Sequence, residues 1–315
     1  MGATEQAVAG RTGTAGPLVS IGMPVYNGEN YLRQALESVC AQTLTDLEIV
    51  ISDNASTDGT EAICREFAAR DPRIRYVRQE RNLGAGPNYN FVFHASRGRY
   101  FKWAAHDDYM DPEAMAVCAA ALEADPGTVL CHPRLIDVDA QGSVLAEHDR
   151  GSCGLGPAPD RFFQVIQIGH NCAEVFGLTR RETLLETGLI RDYTDSDRTL
   201  LGELALRGRL RQVDGARFYR RIHAKKSDKV YRTYHERAAW FNPGNERKVV
   251  LSAFSQLRDL LRSWRRCGLP VREKAVCLWR LAKVVRWNES LYRRELAWAC
   301  RKCFSRGRAA AGAPR

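Results

Sequence analysis

Two adjacent acids, Asp107 and Asp108, end an apolar and aromatic run, Tyr100 to Ala104, that reads as a buried strand. Carboxylates side by side at the carboxyl end of such a strand suit a hard divalent cation that holds phosphate oxygens. A solvated polar turn is the plain alternative for an isolated pair. Asp111 reads as the cap of a following helix, with Pro112 at its first position. A second acid-bearing loop, Asp53 to Asp58, continues from the apolar run Leu47 to Ser52, and Asp58 with Glu61 has the spacing of a capping box. Cys300 and Cys303 form a lone CxxC in a basic helical pattern; without a second pair they read as reduced thiols rather than a zinc site.

The elements that must carry these loops follow from periodicity. Leu18 to Val25, Leu47 to Ser52, Ile74 to Arg78 and the run before the acids read as strands. Helices are predicted over Glu29 to Gln42, from Asp58 onward, and over Asn88 to Ser96. This alternation is the pattern of a mainly parallel sheet covered on both faces. Thr128 to His132 adds a strand, and Leu135 to Val138 pairs with Val144 and Leu145 as a hairpin. After a Gly and Pro break at residues 150–160 come a strand at Ala173 to Thr179 and helices at Arg180 to Glu186 and Asp197 to Arg207. A basic segment, Arg217 to Lys229, follows.

With 44% hydrophobic and 27% charged residues, the 315-residue chain has the balance of a globular protein. It holds no apolar run of membrane-spanning length. Residues 1–16 read as disordered and lack a signal-peptide core, so a cytoplasmic protein is predicted. Charge is unevenly placed. Residues 246–315 carry 18 Lys and Arg against 5 Asp and Glu, a net of +13, whereas the whole chain nets +10. That tail has helical spacing, with Trp264, Trp279, Trp287 and Trp298 among its arginines. It reads either as a peripheral anchor on the inner face of a membrane or as helices packed on the body.

Pro24-Val25-Tyr26-Asn27, the stretch SDNASTDGT from Ser52 to Thr60, and KWAAHDD from Lys102 to Asp108 each stand at a strand end, in that order. In this they resemble the glycosyltransferases of family 2. The likeness covers residues 18 to about 225 and is strongest over 18–112. It implies an α/β GT-A (Rossmann-like) fold over 17–240, with a nucleotide-binding half at 17–132 and an acceptor half at 133–240. A basic amphipathic helical extension at 246–315 would follow.

The resemblance also implies roles. Pro24 and Val25 offer backbone groups and Tyr26 a stacking face to a nucleobase, and Asp53 accepts from the imide N–H of uracil or thymine. Asn82, Gly84 and Asp107 complete the nucleotide site, and Asp107 with Asp108 holds Mg2+ or Mn2+ on the two phosphates. His106 reads as a packing residue. Asp197, or alternately Asp195, is the base that takes the acceptor's proton, although the same acids suit a helix N-terminus. His223 and Arg221 lie where related enzymes cover the diphosphate, so that His223 completes the metal shell or bonds a phosphate oxygen and Lys225 or Lys226 neutralises charge. Three positions depart from the family pattern. Asn54 stands for a second Asp, Ala105 for the first acid of the DxD-type motif, and Ser196 for a Glu.

The expected function is therefore a metal-dependent inverting glycosyltransferase that moves a sugar from a UDP- or dTDP-sugar to an acceptor hydroxyl, in polysaccharide, cell-envelope or natural-product glycan synthesis. The competing readings are a sugar nucleotidyltransferase, and a non-catalytic module that binds membrane or nucleic acid through the tail. The tail lacks a nucleic-acid motif, so no nucleic-acid partner is expected.

Overall fold

The computed structural model describes residues 16–149, 154–167, 170–224, 227–231, 233–246 and 248–311. Residues 1–15 of the stretch expected to be disordered, and Lys225 and Lys226, lie outside the described residues. The first half alternates through β1 (Val19–Val25), α1 (Leu32–Cys40), β2 (Leu47–Asp53), α2 (Thr60–Arg70), β3 (Ile74–Arg78), α3 (Ala85–Ala95) and β4 (Tyr100–Trp103). Then come β5 (Tyr109–Met110), α4 (Ala114–Ala124), β6 (Thr128–Val138), β7 (Val144–His148), α5 (Ala158–Ile166), β8 (Leu178–Arg180) and α6 (Arg181–Leu185). Next are α7 (Ser196–Ala205), β9 (Arg209–Arg221), α8 (Ser227–Val230) and α9 (Tyr234–Phe241), and the chain closes with α10 (Ser252–Arg266), α11 (Val271–Trp287) and α12 (Glu289–Ala311).

One nine-stranded sheet runs in the order β3-β2-β1-β4-β8-β6-β9-β5, with β7 paired to β6. Strands β3, β2, β1 and β4 are mutually parallel, and the remainder is mixed: β8 is antiparallel to β4 and β6, while β9 is parallel to β6 and antiparallel to β5. Because strand side chains alternate between faces, one apolar run feeds two cores. Ile49 and Ile51 enter the core with α1, α2 and α4, and Val50 enters the other. Likewise Tyr100 lies on one face, Phe101 and Trp103 on the opposite. A strand buried on both sides has no polar positions to spare, which is why LEIVIS and YFKWA read as nearly continuous apolar runs.

The second core is completed late in the chain. Leu260 of α10 and Cys277, Leu281 and Val284 of α11 join Phe162, Val165, Leu200 and Leu204 of α5 and α7. Gly202 lets α10 close on α7: a Cβ there would lie 2.8 Å from Leu260 Cδ2. The buried Glu295 of α12 accepts from the Ala253 N–H at 3.0 Å, supplying a carboxylate to the orphan donors of α10's first turn.

Several local expectations are corrected. Asp58 and Glu61 form no capping box. Asp58 accepts instead from the N–H groups of Thr60 and Glu29, and Glu61 pairs with Arg65 and Arg78. Asp111 does not cap α4; its carboxylate accepts from the Arg217 N–H at 2.9 Å and fastens the acid loop to β9. Residues Ala173–Phe176 form a 3-10 turn rather than a strand, since Cys172 takes a left-handed φ of 55° and only Leu178–Arg180 reaches the sheet. The basic segment begins as the end of β9.

Candidate active site

The loops after β1 and β2 are bound to one another. Asn27, in a left-handed conformation, donates its N–H to Ser56 Oγ at 2.9 Å and accepts from the Thr57 N–H at 2.8 Å through its side-chain oxygen. Tyr26 stays 39% exposed at the tip, where its ring is open to a flat ligand. Pro24 and Val25 are buried, and the Val25 carbonyl already accepts the Asn54 N–H at 2.8 Å. That carbonyl is thus drawn into the loop's own framework.

Asp53 is 0% exposed. Its Oδ1 accepts from the Ser56 N–H at 2.8 Å, and Oδ2 from Tyr76 Oη at 2.9 Å and Arg78 Nη1 at 2.7 Å. A carboxylate has about four acceptor sites, so roughly one remains for a nucleobase. Tyr76 and Arg78, on β3, belong to this locus and were not singled out in the sequence. Their signal was weak: a tyrosine and an arginine alternating in an edge strand.

Asn54 explains its own departure from the family pattern. Its amide nitrogen donates to Asn82 Oδ1 at 2.9 Å and to the Gly84 carbonyl at 3.2 Å, while its oxygen accepts the Leu83 N–H at 2.8 Å. An Asp could make only the last of these bonds. Gly84 sits at φ 89°, and a Cβ there would meet the Phe241 carbonyl oxygen at 2.6 Å and Pro243 Cδ at 2.7 Å. The 82–86 loop is therefore covered closely by the end of α9.

The acid pair is held from β9. Asp108, buried, accepts the Arg221 N–H at 2.9 Å through Oδ1, and the Asp107 carbonyl accepts from Arg221 Nε at 3.1 Å. The guanidinium of Arg221 is 2% exposed and also donates to the carbonyls of Asp139 and Ala140 and to Gln34 Oε1. It lies over the Tyr31 ring, 4.5 Å from its centroid. Such a guanidinium acts as a clamp for the acid loop. His223 Nε2 lies 2.9 Å from Asp107 Oδ2, with its ring edge-on to Tyr31. His106 packs on Gly28, where a Cβ would stand 2.7 Å from its Cδ2.

Among the described residues no group of three or more His, Cys, Asp or Glu converges to hold a metal by itself. Two adjacent hard carboxylates nevertheless fit Mg2+ or Mn2+, which take one or two carboxylates plus substrate oxygens and waters.

Asp195 is the N-cap residue of α7, at a left-handed φ of 64°, with its side chain 57% exposed and 3.6 Å from Arg198 Nη1. Asp197, within the first turn, accepts the Arg198 N–H at 2.8 Å. Burial, and then the neighbouring Asp195 carboxylate, push its pKa up to about 6. Helix α7 is tied to the 3-10 turn, because Arg198 Nη2 donates to the His170 carbonyl at 3.1 Å and His170 pairs with the buried Glu174.

Tyr89 lies within electrostatic reach of both acid groups. Its hydroxyl is held protonated by burial and then by the charges of Asp107, Asp108 and Asp197, so the phenol stands in the field of all three. It sits on α3 between Asn88, bonded to Ser52, and Asn90, bonded to Ile190. Sequence reasoning passed over it as one of several aromatics in an apolar helix. Two surface clefts, one around Arg97, Arg99 and Arg181 and one around Arg134, Glu147 and Arg217, lie apart from these acids.

A parallel β3-β2-β1-β4 sheet with acids and amides at its strand ends, extended by a mixed half, is a GT-A fold. The chain belongs to the family described as Glycosyl transferase family 2, whose model matches residues 20–185. It is 35% identical over 130 residues to a chondroitin synthase of Escherichia coli, spanning 41% of this chain and 19% of that protein. It is 40% identical over 140 residues to an uncharacterized glycosyltransferase of Rickettsia typhi, spanning 44% of this chain and 43% of that protein. The chain thus matches less than half the length of either relative.

Among solved structures it resembles S. aureus TarS 1–349 in complex with UDP-GlcNAc, with a TM-score of 0.63 and 16% identity over 85% of this chain and 72% of that chain. It also resembles the mannosyltransferase PcManGT from Pyrobaculum calidifontis, in complex with GDP-Man and Mn2+, with a TM-score of 0.53 and 19% identity over 95% of this chain and 81% of that one. At such identities the likeness is one of fold.

Proposed function

We propose that the chain is a metal-dependent, inverting glycosyltransferase that moves a sugar from a UDP- or dTDP-sugar to an acceptor hydroxyl in glycan synthesis. The observation that carries this reading is the match of residues 20–185 to the family, together with the acid pair Asp107 and Asp108 at the end of the β4 run and the buried acid Asp197 at the start of α7. These acids supply a pair suited to a metal diphosphate and a carboxylate suited to proton abstraction. The nucleotide sugars and Mn2+ named with the structural neighbours support the donor class and the cation.

In this mechanism Tyr26 stacks on the base and the remaining acceptor site of Asp53 takes an imide N–H. Asp107 and Asp108 would hold the cation, which would supply charge stabilisation to the leaving diphosphate. His223 fixes the Asp107 carboxylate. Asp197 takes the proton as the acceptor oxygen bonds to the anomeric carbon from the side opposite the breaking C–O bond. A pKa near 6 leaves Asp197 ionised yet basic enough to accept that proton at neutral pH.

The test is thermal stability with UDP, dTDP, GDP and CDP, each with and without Mn2+, in the wild type and in an Asp107→Ala/Asp108→Ala variant. A ligand that binds the folded state raises the melting temperature. A metal-dependent rise for one nucleotide, lost in the variant, supports the reading and identifies the donor base. No rise with any nucleotide at millimolar concentration overturns it.

A further inference from the structure

We infer that α11 is a membrane-contact element whose solvent-facing half lies on an anionic lipid surface. The inference stands independently of the transfer chemistry. Helix α11 buries one side, Cys277, Leu281 and Val284, against the body. The opposite side remains open and is unusual for a solvated helix face. It exposes Val271 (84%), Trp279 (59%) and, at the margin where its ring meets Phe163 of α5 edge-on at 5.9 Å, Trp287 (59%), together with Val276 and Leu278. Between these stand Arg272, Lys283 and Arg286, and the helix's single acid, Glu273, falls outside this face.

Lys283 links the two tryptophans. Its Nζ lies 4.5 Å from the Trp279 ring centroid and 5.1 Å from that of Trp287. Residues 279, 283 and 287 are spaced one turn apart, so the three form a continuous ladder along the helix.

Each part of the face has a physical counterpart in a bilayer interface. Indole rings prefer the headgroup level, where the ring is dehydrated and the N–H stays wet. Lysine and arginine lay their apolar stems along the surface and present charge to lipid phosphates. With no carboxylate on the face, nothing there repels an anionic leaflet. The following α12 also exposes Arg293, Arg294 and Arg301 around an exposed Leu296, with the Glu289 carboxylate 4.0 Å from Arg293. No helix among the described residues is long and apolar enough to cross a membrane, so contact would be lateral. Because α11 packs on α5, and α5 on α7, the face is mechanically continuous with the helix that carries Asp197.

The experiment is co-sedimentation of the full chain with phosphatidylcholine vesicles, with and without phosphatidylglycerol, alongside tryptophan fluorescence. The wild type is expected to pellet with the anionic vesicles, to shift its emission to the blue, and to be released by salt. Trp279→Ser/Arg286→Glu should keep the wild-type melting temperature and lose roughly tenfold in vesicle affinity, as expected when apolar and electrostatic terms are removed together. Arg272→Glu/Lys283→Glu, which retains both tryptophans, should lose the preference for phosphatidylglycerol. Wild type that stays in the supernatant, or variants that pellet equally well, overturns the inference. So does a wild type that ignores vesicles but binds duplex DNA, or self-associates, through the same residues.

Discussion

His223 Nε2 stands 2.9 Å from Asp107 Oδ2 although 116 residues separate them. The pair ties the acid loop to the segment that follows β9. Partners that orient a metal-binding carboxylate typically matter tenfold to a hundredfold in affinity. His223→Ala is therefore expected to weaken Mn2+-dependent nucleotide binding by about tenfold or more with little change in metal-free binding. Titration calorimetry with and without Mn2+ reads the difference.

Asp197 should show opposite effects on activity and stability. Removing a general base costs roughly a thousandfold, so Asp197→Asn is expected to lose transfer while nucleotide binding persists. The wild-type rate should fall as pH drops through about 6, where Asp197 takes up a proton. Its folded pKa is raised, so the folded state favours the proton. Stability from this group is present at low pH and is lost as pH rises from about 4 towards 6. At pH 7.5 the Asn variant should then be more stable, by on the order of 2 kcal/mol. Equal stability across pH 4 to 8 in urea denaturation would contradict that burial argument.

Asn54→Asp restores the acid usual in the family but places a carboxylate against two acceptors, Asn82 Oδ1 and the Gly84 carbonyl. A buried polar group left without its donor costs about 1–3 kcal/mol. The expected outcome is a lower melting temperature and weaker nucleotide binding, despite the conservative appearance of the change.

Arg221→Lys keeps the charge and loses the fork. A single ammonium cannot reach the carbonyls of Asp107, Asp139 and Ala140 and the Gln34 side chain together. Loss of about 3 kcal/mol is expected in urea denaturation, with Mn2+-dependent binding reduced because the Asp107 carbonyl is released.

Leu281 tests the part played by the last helices. It is buried in the same core as Leu200 and Leu204 of α7. Leu281→Ala should cost about 3 kcal/mol, and a chain ended at residue 245 should expose that core and bind a hydrophobic dye. A shortened chain with an unchanged urea midpoint would show that α10 to α12 are dispensable for folding.

The strands β1 to β4 were legible because both faces of the sheet are covered, so their apolar runs are almost uninterrupted. The acids stood out as the abrupt ends of those runs. Strand β9 was not legible: Leu210, Val213, Ala216 and Phe218 face inward, but a bulge breaks its pairing with β6 near Pro133 and five arginines stand among the other positions. Its period-2 signal was lost among charges. The start of α3 at Ala85 was hidden by the glycines around it, whose reason is the close approach of Phe241 and Pro243 to Gly84. The position of Arg221 could not be read because its partners lie far away in sequence, Gln34 by 187 residues. Tyr89 was missed for a related reason, since it gains meaning only where three separate acids act on it.

The backbone bond from Arg221 to Asp108 spans 113 residues. During translation at roughly 5–20 residues per second, the acid pair emerges on the order of ten seconds before the strand that holds it. A nascent chain that has completed β1 to β4 already owns the sheet edge but has no clamp on its acids. In the mechanism proposed above, donor loading would wait until most of the polypeptide has been made, and nucleotide binding would report that β9 has docked.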